Sequence, residues 1–173
     1  MGRVTLITGG ARSGKSSQAL TLAAAHVNSR RAFIATAEAG DDEMRERIAR
    51  HRAARPADFV IVEEPRELLR AVARLRGRAD FVVLDCLTLW VANLTESDAN
   101  DASILRAADE LSAALLRAPF DTVVVTDEVG AGIVPDNQAA RRFRDLLGWA
   151  NQRIALAADN VVMMVAGIAI KLK

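Results

Sequence analysis

Val4-Thr5-Leu6-Ile7-Thr8-Gly9-Gly10-Ala11-Arg12-Ser13-Gly14-Lys15-Ser16, running on into Ser17-Gln18-Ala19-Leu20-Thr21-Leu22-Ala23-Ala24-Ala25, decides the fold. A short apolar run leads into a full G-x-x-x-x-G-K-S sequence, and a helix-forming run follows directly. That is the strand–loop–helix context a phosphate-binding loop requires. Glycines let the backbone wrap closely around a polyphosphate, so that amide N–H groups and a helix N-terminus converge on its oxygens. The nucleotide-binding set therefore begins with Gly9, Gly10, Ala11, Arg12, Ser13, Gly14, Lys15 and Ser16. Lys15 is the expected catalytic cation on the β- and γ-phosphates, and the Ser16 hydroxyl is an expected Mg²⁺ ligand.

Outward from this stretch, apolar runs alternate with helical patterns. Strands are predicted at 3–8, 31–36, 59–63, 80–85, 121–126 and 160–166, each short, continuously apolar and rich in Val or Ile, as strands buried on both faces are. Helices are predicted at 15–27, 41–54, 65–76, 87–96, 102–117 and 137–158, with Pro65 in a first turn and Asp136 as an N-cap. The alternation predicts an α/β fold with a mainly parallel sheet and helices on both faces. The 173 residues, without repeat or linker, read as a single domain, 1–173.

Composition narrows the functions. A net charge of +1 gives no reason to expect nucleic acid as a partner, and there is no apolar run long enough for a membrane span. The one cysteine, Cys86, excludes an internal disulfide and a cysteine-based metal cluster. With no leader in view, a cytoplasmic location is expected.

In open parallel sheets ligands gather at the carboxyl ends of the strands, so the residues that follow each strand matter most. Phe81-Val82-Val83-Leu84-Asp85 has four apolar residues and then a carboxylate able to hold Mg²⁺; Val123-Val124-Val125-Thr126-Asp127-Glu128 is a second candidate, and the sequence does not choose between them. The guanine-reading N-K-x-D of switch GTPases is absent. His26 ends the first helix, where the C-terminal dipole suits a histidine. His51 is different: Glu43, Arg47 and His51 fall at i, i+4 and i+8 on one helix face, among Arg45, Arg50, Arg52 and Arg55. Neighbouring arginines favour the neutral, nucleophilic imidazole and offer cations for phosphates, though an exposed helix histidine explains the same pattern. Trp90 and Trp149 could stack on a flat substrate ring or pack at a subunit interface, but both are expected to be buried in helix packing, and the loop Gly130 to Pro135 reads equally as a turn or as an approach for a large substrate.

Several stretches together resemble one family. They are Thr8 to Ser16; Ile34-Ala35-Thr36 with Asp41 to Met44, Arg47-Ile48, His51 and Arg55-Pro56; Asp85-Cys86-Leu87-Thr88 with Asn93-Leu94; and Glu128-Val129-Gly130 with Gly132 to Pro135. Arg142 to Asp145, Asn151-Gln152-Arg153 and Gly167-Ile168 complete the set. The chain resembles the bifunctional adenosylcobinamide kinase / adenosylcobinamide-phosphate guanylyltransferases of adenosylcobalamin biosynthesis. The resemblance implies a RecA-like P-loop NTPase fold and a transferase with two activities. Adenosylcobinamide is phosphorylated by ATP or GTP; GMP from GTP then passes through a GMP-histidine to adenosylcobinamide phosphate, giving adenosyl-GDP-cobinamide. It implies His51 as the nucleophile, and Ala35, Thr36, Ala37, Arg52, Ala53, Ala54, Arg55, Glu63 and Asp85 as further nucleotide-contact positions. Mg²⁺ would be held by Ser16 and Asp85, although a Glu is familiar at position 85. A homo-oligomer, a trimer, is also implied. The rival readings are a P-loop kinase for another small alcohol without nucleotidyl transfer, and a nucleotide-dependent regulatory module.

Overall fold

The computed structural model describes residues 1–26, 29–53, 57–97 and 99–173, with the backbone alone for Arg47 and His51. Chain order is β1 (Val4–Gly9), α1 (Lys15–Ala25), β2 (Arg31–Ala35), α2 (Asp42–Ala53), β3 (Phe59–Glu63), α3 (Leu68–Leu75) and β4 (Phe81–Asp85). There follow α4 (Leu87–Thr95), α5 (Asp101–Leu116), β5 (Asp121–Val125), α6 (Gln138–Ala157), β6 (Asn160–Val165) and β7 (Ile168–Lys171). The strands make one sheet in the order β3-β2-β4-β5-β1-β6-β7, parallel throughout except for β7.

Alternation along each buried strand divides the core. Leu6, Ala32, Ile34, Val82, Leu84 and Val124 face one side, where α3, α4, α5 and α6 pack on them. Ile7, Phe33, Ala35, Val83, Val123 and Val125 face the other, covered by Ala19 and Ala23 of α1. Side chains of period two on a sheet closed from both sides give the continuous apolar runs seen in the sequence. Helix α2 is the exception, since none of its described side chains is buried. Its sequence, Asp-Glu-Met-Arg-Glu-Arg-Ile-Ala-Arg-His-Arg-Ala, holds no apolar stripe wide enough to bind a sheet.

Three expectations are corrected. A seventh strand, β7, pairs antiparallel with β6 across Ala166 and Gly167, both at positive φ (51° and 82°) as a two-residue hairpin turn demands. Its four residues are exposed, so it lies outside the two-sided burial that the central strands share. Helix α3 starts at Leu68 instead of Pro65, because the Glu64 carboxylate accepts from the N–H groups of Arg66 (3.3 Å) and Glu67 (2.9 Å) and shapes a turn there. The N-cap of α6 is Asn137, whose side-chain oxygen accepts from the Ala140 N–H at 2.7 Å, not Asp136.

Candidate active site

The register of the sheet sets the site's floor. Glu63 of β3, Ala35 of β2 and Asp85 of β4 are Cα partners across neighbouring strands, and Asp85 is level with Val125 of β5. Three residues far apart in sequence therefore stand in one row at the carboxyl ends, and the phosphate loop leaves β1 two strands away.

The loop is held in shape by the chain beneath it. Gly9 has φ 146°, and a Cβ there would lie 2.4 Å from the Met164 carbonyl oxygen of β6, so no other residue fits without moving backbone. From the far side, the Gly167 N–H donates to the Ser13 carbonyl at 3.0 Å. A Cβ on Gly14 would touch the Gly167 Cα at 3.4 Å. The tip of the β6–β7 hairpin thus braces the loop, a role carried by the strand that the apolar pattern hid. Replacing Gly167 with Val, which resists positive φ, is expected to raise the nucleotide KM several-fold. Asn in its place, which tolerates that conformation, should stay near wild type. Steady-state kinetics with varied nucleotide on both variants checks this.

Both carboxylates that the sequence could not separate reach the loop. Ser16 Oγ donates to Asp85 Oδ2 at 3.1 Å, whereas Lys15 Nζ lies 2.6 Å from Asp127 Oδ1 and donates to the Gly10 carbonyl at 2.7 Å. The lysine side chain is 9% exposed, so its charge is met almost wholly by these partners. Asp127 is fixed through its backbone: its N–H donates to Thr88 Oγ1 (2.7 Å), and its carbonyl accepts from Asn151 Nδ2 (3.1 Å). Asn151 Oδ1 in turn accepts from the Thr126 hydroxyl at 2.7 Å. Asn151 had entered only through the family resemblance. Its signal was a carboxamide beside the buried stripe of α6, between Ala150 and Ile154.

Thr36 contributes in a way the sequence did not suggest. Fully buried, it donates its hydroxyl to the Cys86 carbonyl (2.7 Å) and accepts from the Cys86 N–H (2.9 Å). Its own N–H goes to the Asp85 carbonyl (3.2 Å), and its carbonyl accepts from Asn93 Nδ2 (2.9 Å). With each polar group used inside the protein, Thr36 fixes the end of β4, and so the carboxylate of Asp85. Ala37 beside it is half-buried.

Arg52 and Glu63, both expected at the nucleotide, are brought together: Arg52 Nε and Nη2 donate to Glu63 Oε1 at 2.9 and 2.5 Å. Ala53 closes α2 and is exposed. His51 lies in the last turn of that helix, with its side chain outside the described residues, as are Ala54 and Arg55 entirely. Cys86, next to Asp85, is no rival nucleophile. Burial first, then the neighbouring Asp85 charge, push its thiol up to about 12, so it stays neutral. His26 is spent on structure, its ring 4.4 Å from that of Phe81 and its Nε2 3.9 Å from Asp121. Trp90 is buried and donates to the Arg66 carbonyl at 2.8 Å. Trp149, against expectation, is 45% exposed, because the buried stripe of α6 runs through Leu146, Leu147, Ala150 and Ile154 and passes beside it.

Ser16 and Asp85 offer hard oxygens at a helix N-terminus, a donor set that suits Mg²⁺. Among the described residues no three His, Cys, Asp or Glu side chains cluster to hold a metal alone. No described helix is long and apolar enough to cross a membrane.

A phosphate loop between β1 and α1, with its lysine and serine each matched to a carboxylate from a parallel sheet, defines a P-loop nucleotide-binding protein of the RecA-like class. The KaiC-like protein PH0186 of Pyrococcus horikoshii shares that fold, with a TM-score of 0.53 at 17% identity, covering 93% of this chain and 70% of that one. Residues 5–172 match the model of the family described as cobinamide kinase / cobinamide phosphate guanyltransferase, and the chain belongs to that family. It is 43% identical to the bifunctional adenosylcobalamin biosynthesis protein CobU of Salmonella typhimurium, over 97% of this chain and 98% of that protein. It is 44% identical to the corresponding CobP of Pseudomonas aeruginosa, over 97% and 96%. The Escherichia coli CobU is 39% identical over 97% and 98%.

Proposed function

We propose that this chain is a bifunctional transferase that phosphorylates adenosylcobinamide and then joins GMP to the phosphate it has made. The observation that carries the reading is the intact, doubly paired phosphate loop in a chain matched to the family from end to end. In the first reaction the terminal hydroxyl of the aminopropanol arm attacks the γ-phosphorus of ATP or GTP, and the nucleoside diphosphate leaves. Lys15 and the loop amides hold the phosphate oxygens in a fixed field, so little reorganisation is needed as charge moves. Mg²⁺, when bound through Ser16 and Asp85, supplies further neutralisation of phosphate charge.

In the second reaction a ring nitrogen of His51 attacks the α-phosphorus of GTP, and pyrophosphate leaves. An oxygen of adenosylcobinamide phosphate then displaces the imidazole, giving adenosyl-GDP-cobinamide and free His51. A neutral imidazole is a good nucleophile and, once phosphorylated, a good leaving group. The polar make-up of α2 supports this role, since none of its described side chains is committed to the core. Arg52, held by Glu63, and the neighbouring Arg50 and Arg55 offer cations for the transferred nucleotide. A single cytoplasmic domain, working as a homotrimer, completes the reading.

Incubating the protein with Mg²⁺, ATP, GTP and adenosylcobinamide is expected to yield the phosphate first and adenosyl-GDP-cobinamide second, resolved by chromatography. Appearance of the phosphate alone would favour a simple kinase. Nucleotide hydrolysis with neither corrinoid product would favour a regulatory module.

A further inference from the structure

Among the described residues Trp149 is the one aromatic side chain that stands largely outside, since Phe33, Phe59, Phe81, Phe120 and Trp90 are buried and Phe143 is half-buried. Its indole forms a wall of an open cavity of about 230 Å³, shared with Gly130, Gly148, Gln152 and the Arg144–Asp145 pair. One short covalent path ties this cavity to the reacting centre: Gly130 comes three residues after Asp127, the carboxylate on Lys15. The loop that supplies Gly130 also carries Ile133 (98% exposed) and Val134 (63% exposed), with Val129 at its start.

The acceptor that belongs here has unusual demands. Its reacting hydroxyl sits on a short arm, which must reach the phosphate loop, while a broad rigid ring with apolar faces and a fringe of carboxamides stays outside. A flat ring needs an aromatic or aliphatic surface to lie on, and its fringe needs paired donors and acceptors. The lining offers an indole for the face, and the Gln152 amide, the Arg144 guanidinium and the Asp145 carboxylate for the fringe; the loop beyond Gly130 adds the exposed aliphatic side chains of Ile133 and Val134. Glycine at 130 and 148 keeps side chains out of the mouth. A volume of about 230 Å³ admits a carboxamide arm and not the macrocycle, so the ring would rest across the opening.

We propose that Trp149, Gln152 and the loop from Val129 to Val134 form the platform on which the corrin ring of the acceptor docks beside the phosphate loop. The proposal rests on the reading of the chain as a cobinamide kinase and guanylyltransferase. It assigns the platform to substrate instead of to a second copy of the chain because Gly130, in the lining, follows Asp127 by three residues, on the loop that leaves β5 at the carboxyl ends of the strands.

The test is kinetic, on the full chain with Mg²⁺ and cobinamide as acceptor. Trp149→Ala should raise the KM for cobinamide roughly tenfold, the scale of a lost stacking contact, and leave the nucleotide KM unchanged. Trp149→Phe should recover much of the loss, and Gln152→Ala should raise the same KM by a smaller factor. Unchanged cobinamide KM in Trp149→Ala and Gln152→Ala overturns the platform while leaving the enzyme reading intact. A fall in native mass by sedimentation for Trp149→Ala overturns it in favour of a subunit contact. Wild-type protein that binds GTP but never turns over cobinamide sinks the underlying reading and the platform together.

Discussion

His51→Ala is expected to lose guanylyl transfer by roughly 10⁴-fold or more, the scale on which removal of a covalent nucleophile is felt. Kinase activity should persist within a few-fold. The same substitution should abolish the acid-labile label that GTP carrying radioactive α-phosphate leaves on the wild-type protein, because the phosphoramidate of the proposed mechanism is carried on the His51 imidazole. In the proposed mechanism the two reactions separate because they attack different phosphorus atoms: the γ-phosphate is met by the acceptor hydroxyl and the α-phosphate by His51. Helix α2 gives no described side chain to either face of the core, so the variant should keep the wild-type fold, checked by an unchanged thermal midpoint. A competing thiol can be set aside on physical grounds, since the single cysteine, Cys86, is buried and held neutral. A His51→Ala protein that still acquires the label would refute the assignment and leave the kinase half standing.

What could be read from the sequence follows from how each signal is encoded. The phosphate loop and the buried strands were legible because local chemistry dictates them: glycines at fixed offsets, and apolar continuity where both faces of a sheet are covered. The exposed hairpin strand β7 was not, because nothing in Ile168-Ala169-Ile170-Lys171 distinguishes a solvent-facing edge from a tail. Helix starts drifted where a side chain acted first, as Glu64 did ahead of α3 and Asn137 ahead of α6.

At the site, two carboxylates ending two similar strands looked alike in sequence. Only their placement beside different loop residues, Asp85 at Ser16 and Asp127 at Lys15, tells them apart. Thr36 shows the opposite limit. The family resemblance places Thr36 at the nucleotide, and nothing in the sequence announces that its hydroxyl also bonds the Cys86 backbone groups, fifty residues away. Arg52 and Glu63 meet across the gap between α2 and β3, a pairing that neither residue announces alone.

Lys15→Ala should lower both activities, each by roughly 10²- to 10³-fold, the loss typical when one fixed donor to developing charge is removed. Lys15 donates to the Gly10 carbonyl at 2.7 Å and lies 2.6 Å from the Asp127 carboxylate. A triphosphate brings far more negative charge than a single carboxylate, so the ammonium can turn toward it without leaving its place. Lys15→Arg keeps the charge but replaces a compact ammonium with a broad planar fork in a space bounded by the Gly10 carbonyl and Asp127, so it should fall between wild type and Lys15→Ala. Structural collapse is not expected in Lys15→Ala, because Asp127 keeps its backbone bonds to Thr88 and Asn151, and its side chain, 28% exposed, can meet water. The two substitutions together decide the layout of the enzyme. If His51→Ala removes one activity and Lys15→Ala removes both, one phosphate loop serves two reactions with two different attacking groups. If Lys15→Ala spares the covalent label, GTP for guanylyl transfer is held somewhere other than the loop.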